Sequence, residues 1–330
     1  MKKLKPLFGA LLILSITLLF TGCGSTFIIS FPDSESYKVG SVDGYNAFTN
    51  SVNDIEIDWP VGSVTVLTSA SEFVSIEEIG EDAVNMPLNY RLSDGVLSIQ
   101  FASPGLYKNV KSKDLTVTLP SSLTLSNVEI EGASSEIKLA SISASELSVE
   151  TASGNIYVTD LRIDTDITAE SASGDITISN CTAVGGIYAE CASGGITIKD
   201  TTANSVEADT ASGNILLSLL GSCNEIQCDS ASGRIEATAD RLNSAKLEAS
   251  SGNIMLSVEN IPSSIDIETA SGDVTLEIPY GGFSFRVDTA SGELRCDHAA
   301  SISSGRYQVG SGGPTYDIET ASGDINIRKK

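Results

Sequence analysis

The chain has 330 residues, with 20 Lys and Arg against 43 Asp and Glu, a formal net charge of −23, and 41% hydrophobic residues. That acidity excludes nucleic acid and anionic lipid as partners of the folded body. With one histidine and 6 cysteines in no C-x-x-C pairing, it also offers little toward a Ser-His-Asp triad or a zinc site.

At the N-terminus, Lys2, Lys3 and Lys5 precede an apolar run, 7–20, and then Thr21-Gly22-Cys23, which is the layout of a secretory signal. The run is roughly 14 residues, short of the about 20 that span a bilayer as a helix. Small residues directly before Cys23, with Gly24 and Ser25 after it, resemble the lipobox of bacterial lipoproteins, although Phe20 stands where leucine is more usual. That resemblance implies cleavage before Cys23 and attachment of diacylglycerol to its thiol. An ordinary signal peptide with a coincidental cysteine is the alternative. Removing residues 1–22 removes three lysines and no acids, so the mature charge is 17 − 43 = −26. Contact with a membrane would then come through the lipid, with the acidic body standing off.

Residues 23–50 read as a tether. Residues 51–125 are β-rich but irregular and are expected to cap the first coil of the repeat region. In "YRLSDGVLSIQF" the pair Asp94-Gly95 sits between alternating segments, a hairpin signal, and "DLTVTLP" reads as a further strand.

From residue 126 to 330 the sequence repeats. Glycines of Ala-Ser-Gly type fall at 154, 174, 194, 213, 233, 252, 272 and 292, in steps of 19 or 20, the mark of a solenoid. Weaker copies centre on Ser135 and Gly62. Gly312 keeps the step, but Gly323 follows 11 residues later, so 301–313 is read as a loop inserted into the last coil. Apolar residues sit two apart before each glycine, as Leu147 and Val149 do, and two apart after it, as Ile156 and Val158 do. A period of two means strand. The inward phase slips by one place at Ala-Ser-Gly, which would turn later side chains outward unless the chain bends there. Each motif is therefore a corner, with glycine chosen for its backbone freedom, alanine for its size and serine for local bonding. The prediction is an all-β, single-stranded parallel β-helix: about ten coils of 19–20 residues stacked at about 4.8 Å behind an N-terminal β cap.

Four residues before each glycine stands an acid: Glu131, Glu150, Glu170, Glu190, Asp209, Asp229, Glu248, Glu268, Asp288 and Glu319. Stacked outward at about 5 Å, neighbouring carboxylates repel by roughly 0.8 kcal/mol per pair in bulk water. Divalent cations, Ca²⁺ foremost, would relieve that repulsion. Splayed side chains, screening by sodium, and Lys138, Arg162, Lys199 and Lys246 nearby would relieve it without a ligand. This second reading is preferred, because one carboxylate per coil rarely supplies the about 6 to 8 oxygens calcium takes. No other metal, and no cofactor, is expected. The acids and amides one residue after the glycine (Asn155, Asp175, Asn214, Asn253, Asp273, Asp324) read as turn chemistry. The hydroxyls three before it (Thr151, Ser171, Thr210, Ser230, Thr269, Thr289, Thr320) read as an inner hydrogen-bond ladder. Cys181, Cys191, Cys223, Cys228 and Cys296 fall mostly where other copies hold Thr, Val or Ile, so small buried thiols are expected. His298, in "CDHAAS", reads as a surface turn rather than a general base.

The lipobox, the "TVTLP" strand (Thr116 to Pro120) and the serial "ASGDI"-type turns together resemble the toast-rack family of bacterial adhesin-like envelope lipoproteins of unknown function. The resemblance covers about residues 50 to 330. It implies a right-handed β-helix-like fold on the outer face of a bacterial membrane or the cell surface, roles in adhesion or envelope sensing, and no catalytic residues to carry over. Three functions are compatible with it: a non-enzymatic adhesin-like display module binding an envelope polymer or protein, an envelope-stress sensor with one protein partner, and, least favoured, a carbohydrate-active enzyme.

Overall fold

Wherever the sequence alternates apolar and polar residues around a corner, the chain is extended, and each level pairs in parallel with the next. The computed structural model describes residues 28–31, 38–39, 46–48, 52–303 and 305–330. Cys23, the expected signal segment and most of the expected tether lie outside the described residues. Among the described residues the fold is all-β and solenoid-like, without helix.

The isoleucines after the corners form one column. Ile137 pairs with Ile156, Ile156 with Ile176, Ile176 with Ile196, and the series continues through Ile215, Ile235 and Ile254. All are buried. A second column before the corners runs through Val128, Leu147, Ile167, Ile187 and Val206. Aliphatic side chains, mostly β-branched, stack in register on the inner face of the parallel strands, and burying each is worth roughly 1.5–3 kcal/mol.

The corner is built differently from the sequence expectation. The Ala-Ser-Gly glycines have no positive φ; instead they lack room. A Cβ on Gly174 would lie 1.9 Å from the carbonyl oxygen of Gly154, and one on Gly213 would lie 1.9 Å from that of Gly194. Glycine is needed because each level's corner lies against the backbone below. The corner serines, such as Ser153, Ser173 and Ser193, are exposed, and the bonding falls to the residue three before the glycine. Ser171 donates to the Gly154 carbonyl at 3.1 Å and accepts from its own corner's Gly174 N–H at 2.8 Å. Thr210 and Ser230 repeat the pattern, and Cys191 makes it with sulfur. The residue after the glycine acts as a second rung: the Asn155 side chain accepts from Asp175 N–H at 2.9 Å, and Asp175 from Gly195 N–H at 2.8 Å. Left-handed backbone occurs at the other corner, where Ser141, Asp160, Asn180 and Asp200 have φ between 52 and 59°.

At both ends the stacking departs from chain order. The strand Asp54–Ser69 lies between Thr124–Ala140 on one side and, on the other, Val96–Gln100 together with Lys113–Pro120. At the far end Thr315–Ser322 and Ile325–Lys329 lie between the level of residues 264–278 and the level of residues 283–296. The 20-residue step between Gly272 and Gly292 predicts direct contact of those two levels; the chain's last coil separates them. Gly323 is its corner glycine, with no room for a Cβ against the Gly272 carbonyl. Residues 301–313 lie in the connection to that coil, and most form a hairpin, Ala300–Ser303 with Arg306–Val309, whose second strand pairs antiparallel with Phe283–Phe285. Antiparallel strands also line the N-terminal edge, Val74–Gly80 on Lys113–Pro120 and Asn89–Ser93 on Val96–Gln100, the latter joined at Asp94-Gly95. Short strands within the expected tether pair here too: Lys38–Val39 with Asn89–Ser93 and Asn46–Phe48 with Val74–Gly80.

Beneath this edge sits a polar group that sequence reasoning missed. Lys113 is buried with Glu78, 2.6 Å from its carboxylate, and its other hydrogens go to the carbonyls of Met86 at 2.7 Å and Phe101 at 2.5 Å. Its ammonium also faces the Trp59 and Phe101 rings. Burial pulls the Lys113 pKa down and the Glu78 partnership opposes that. With its donors engaged, the lysine closes the end of the core and is no free nucleophile.

Candidate functional site

Each strand leading into a corner points its second-last residue outward, between an inward residue and the inward hydroxyl. Register therefore turns the predicted acids into a column. Glu131 pairs with Glu150, Glu150 with Glu170, Glu170 with Glu190, and Glu190 with Asp209. Asp209 pairs with Asp229, Asp229 with Glu248, and Glu248 with Glu268. The structure changes the order at the top: Glu319 follows Glu268 and Asp288 comes last. It also adds Asp58 at the bottom, beside Glu131. Asp58 lies four before Gly62, so the same offset rule would have found it.

The column's electrostatics follow from its geometry. Burial raises the pKa of Glu131, Glu150, Glu190, Asp229 and Glu319, and neighbouring carboxylates add to it. Two members stand out. Burial, then Glu131, pushes Asp58 up to about 7. Burial, then Glu207, Asp229 and Glu190, pushes Asp209 up to about 7, against a backbone hydrogen bond that holds it down. Both have an Oδ1 that is buried without a hydrogen-bond partner, and so does Oε1 of Gln100, which pairs with Asp58 in the outermost level. Protonation would give Asp58 a donor among acceptors. Positive charge reaches the column at Lys246, which is ion-paired with Glu248.

Midway along, Tyr188 stands out from the sheet with 41% of its surface exposed. It lines a hollow of about 140 Å³ with Glu170, Ala189, Glu190, Glu207 and Asp209. Such a site offers carboxylates and an aromatic face to a cation and, being shallow, does not enclose a substrate. Among the described residues no three His, Cys, Asp or Glu side chains converge closely enough to hold a metal ion.

The other sequence candidates lie apart from the column. His298 is not on the surface: it is buried, T-shaped to Phe283 at 5.4 Å and stacked with Tyr280 at 6.3 Å, and neither ring nitrogen has a partner among the described residues. The ring packs against the Phe283 end of the aromatic core instead of facing solvent. Cys181, Cys191, Cys223 and Cys228 are buried free thiols and Cys296 is half-buried. Burial raises all five pKa values, Cys223 to about 11, which makes them inert.

The family model described as Toastrack DUF4097 matches residues 52–240 and 156–328. Similar solved structures include a candidate cell adhesion protein from Clostridium sporogenes, 13% identical, covering 89% of this chain and 98% of that one with a TM-score of 0.21. A candidate adhesin from Bacteroides fragilis is 15% identical over 90% of this chain and 98% of that one, with a TM-score of 0.32. A candidate adhesin from Parabacteroides distasonis is 12% identical over 86% and 95%, with a TM-score of 0.47. No curated protein sequence matches the chain.

Proposed function

Because the chain belongs to the Toastrack DUF4097 family, matched between residues 52 and 328, we propose that it is a non-enzymatic display module of the cell envelope. Its working surface is the carboxylate column, its partner a polymer or protein that carries repeated positive charge, and its anchor a lipid on Cys23. The observation that carries the reading is the in-register run from Asp58 to Asp288, one carboxylate per level. Repeated weak contacts of this kind add through multivalency, and a uniform face lacks the singular groups a catalytic site needs. The β-rich N-terminal region acts as the cap of a right-handed solenoid of about ten coils.

Binding of the mature chain to poly-lysine and to isolated envelope tests the surface. In Glu150→Gln, Glu170→Gln, Glu190→Gln combined, affinity is expected to fall about tenfold or more, with melting temperature maintained. Unchanged affinity contradicts the reading. Turnover on a glycan panel abolished by one of these changes would replace it with an enzyme.

A further inference from the structure

We propose that the C-terminal coil, Thr315–Lys329, is a removable wedge, and that when it leaves, Phe283–Cys296 closes directly onto Ser264–Ile278. Through the coil between them, the two levels are already aligned in register.

Register aligns the three levels position by position. Asp266, Ile267 and Thr269 face Asp317, Ile318 and Thr320, which in turn face Arg286, Val287 and Thr289. Without the middle level Arg286, now bonded to Asp317 at 3.3 Å, would meet Asp266, so opposite charge is retained. Val287 would meet Ile267, apolar on apolar. At the corner, Thr320 donates to the Gly272 carbonyl at 3.1 Å and Asp324 N–H to the Asp273 carboxylate at 2.9 Å. Thr289 and Glu293 occupy the same two offsets and can replace them. Gly292 also lies 20 residues from Gly272, the step that stacks levels elsewhere in the chain.

One feature of the observed order works against the wedge: it sets Glu319 in register between Glu268 and Asp288, and burial followed by those two carboxylates raises its pKa. Its exit removes one carboxylate from the column. Favouring the wedge are its buried Tyr316, Ile318, Ile325 and Ile327 and the Tyr316 hydroxyl bond to the Pro262 carbonyl at 2.8 Å. The connection permits both orders: Pro279-Tyr280-Gly281-Gly282 now climbs two levels and would climb one. The result is a fold with two closures in one register, one of which frees the strands Thr315–Ser322 and Ile325–Lys329.

Engineered cysteines in the full chain, in a Cys296→Ala background, read the exchange. Thr275 and Arg295 both face Asn326, one from each side. They are therefore two levels apart, about 9.6 Å, beyond the about 7 Å a disulfide spans. Thr197 and Glu236 flank Leu216 in the same way at mid-rod and serve as the control pair. The proposal predicts that Thr275→Cys with Arg295→Cys oxidises at least about tenfold faster than Thr197→Cys with Glu236→Cys and keeps its β-sheet signal. In the unaltered chain, hydrogen exchange is expected to be faster in Thr315–Ser322 than in the more distal Phe283–Ser291. A rate equal to the control, or exchange that slows steadily inward from the outermost level as simple fraying requires, overturns it.

Discussion

Glycine at the corner shows how one atom sets the repeat. With the Gly154 oxygen 1.9 Å from where a Cβ would sit, Gly174→Ala must push two levels apart. We expect a loss of about 3 kcal/mol or more by denaturant unfolding, whereas Ser173→Ala, at an exposed site one residue earlier, stays within about 0.5 kcal/mol. Equal effects would show that the corner bends for another reason. Asp58 gives the corresponding electrostatic case. Folded, it holds its proton up to about 7; unfolded, an aspartate holds it only to about 4. The folded state therefore binds more protons between those values, and the stability this confers is complete below about pH 4 and lost as pH rises through about 7. Asp58→Asn is expected to stabilise the protein by about 2–4 kcal/mol at pH 8 and to lose that advantage near pH 4. A variant no more stable than the parent at pH 8 would mean that the carboxylate is ionised and solvated.

At the scale of the strand, the apolar alternation on both sides of the corner was readable because inward residues have no freedom: Ile156, Ile176 and Ile196 pair with one another and are buried. The outward acids were readable for the same reason, since the offset from the corner sets the face. The reason for glycine was not readable. Propensity points to unusual φ, while the actual constraint is the neighbouring level's carbonyl, an atom of a distant part of the chain. The serine assignment failed in the same way: Ser173 is exposed, and the bonding hydroxyl belongs to Ser171. Lys113 and Glu78 gave no signal at all, being 35 residues apart in irregular sequence. His298 was misplaced because a polar dipeptide reads as solvent-facing, whereas its neighbours in space are Tyr280 and Phe283.

For the molecule as a whole, a constant step predicts stacking but not the order of the levels. The 20-residue step makes Gly292 the expected partner of Gly272, and only the fold places Gly323 there instead. The proposed anchor belongs to this scale as well. Processed before Cys23 as proposed, the body would stand at −26, by the count 17 − 43, and would not approach an anionic membrane unaided, so Cys23→Ser is expected to move the protein from the membrane to the soluble fraction of the envelope. Membrane retention by that variant would exclude the lipid as anchor. The column runs the length of the rod and carries the central claim, that carboxylates from distant parts of the sequence form one electrostatic unit. Carboxyl ¹³C NMR titration of the folded chain tests this directly. Asp58 and Asp209 are predicted to titrate at about 7, with Glu131, Glu150, Glu190, Asp229 and Glu319 displaced upward. Column carboxylates that all titrate independently at about 4 would contradict the account.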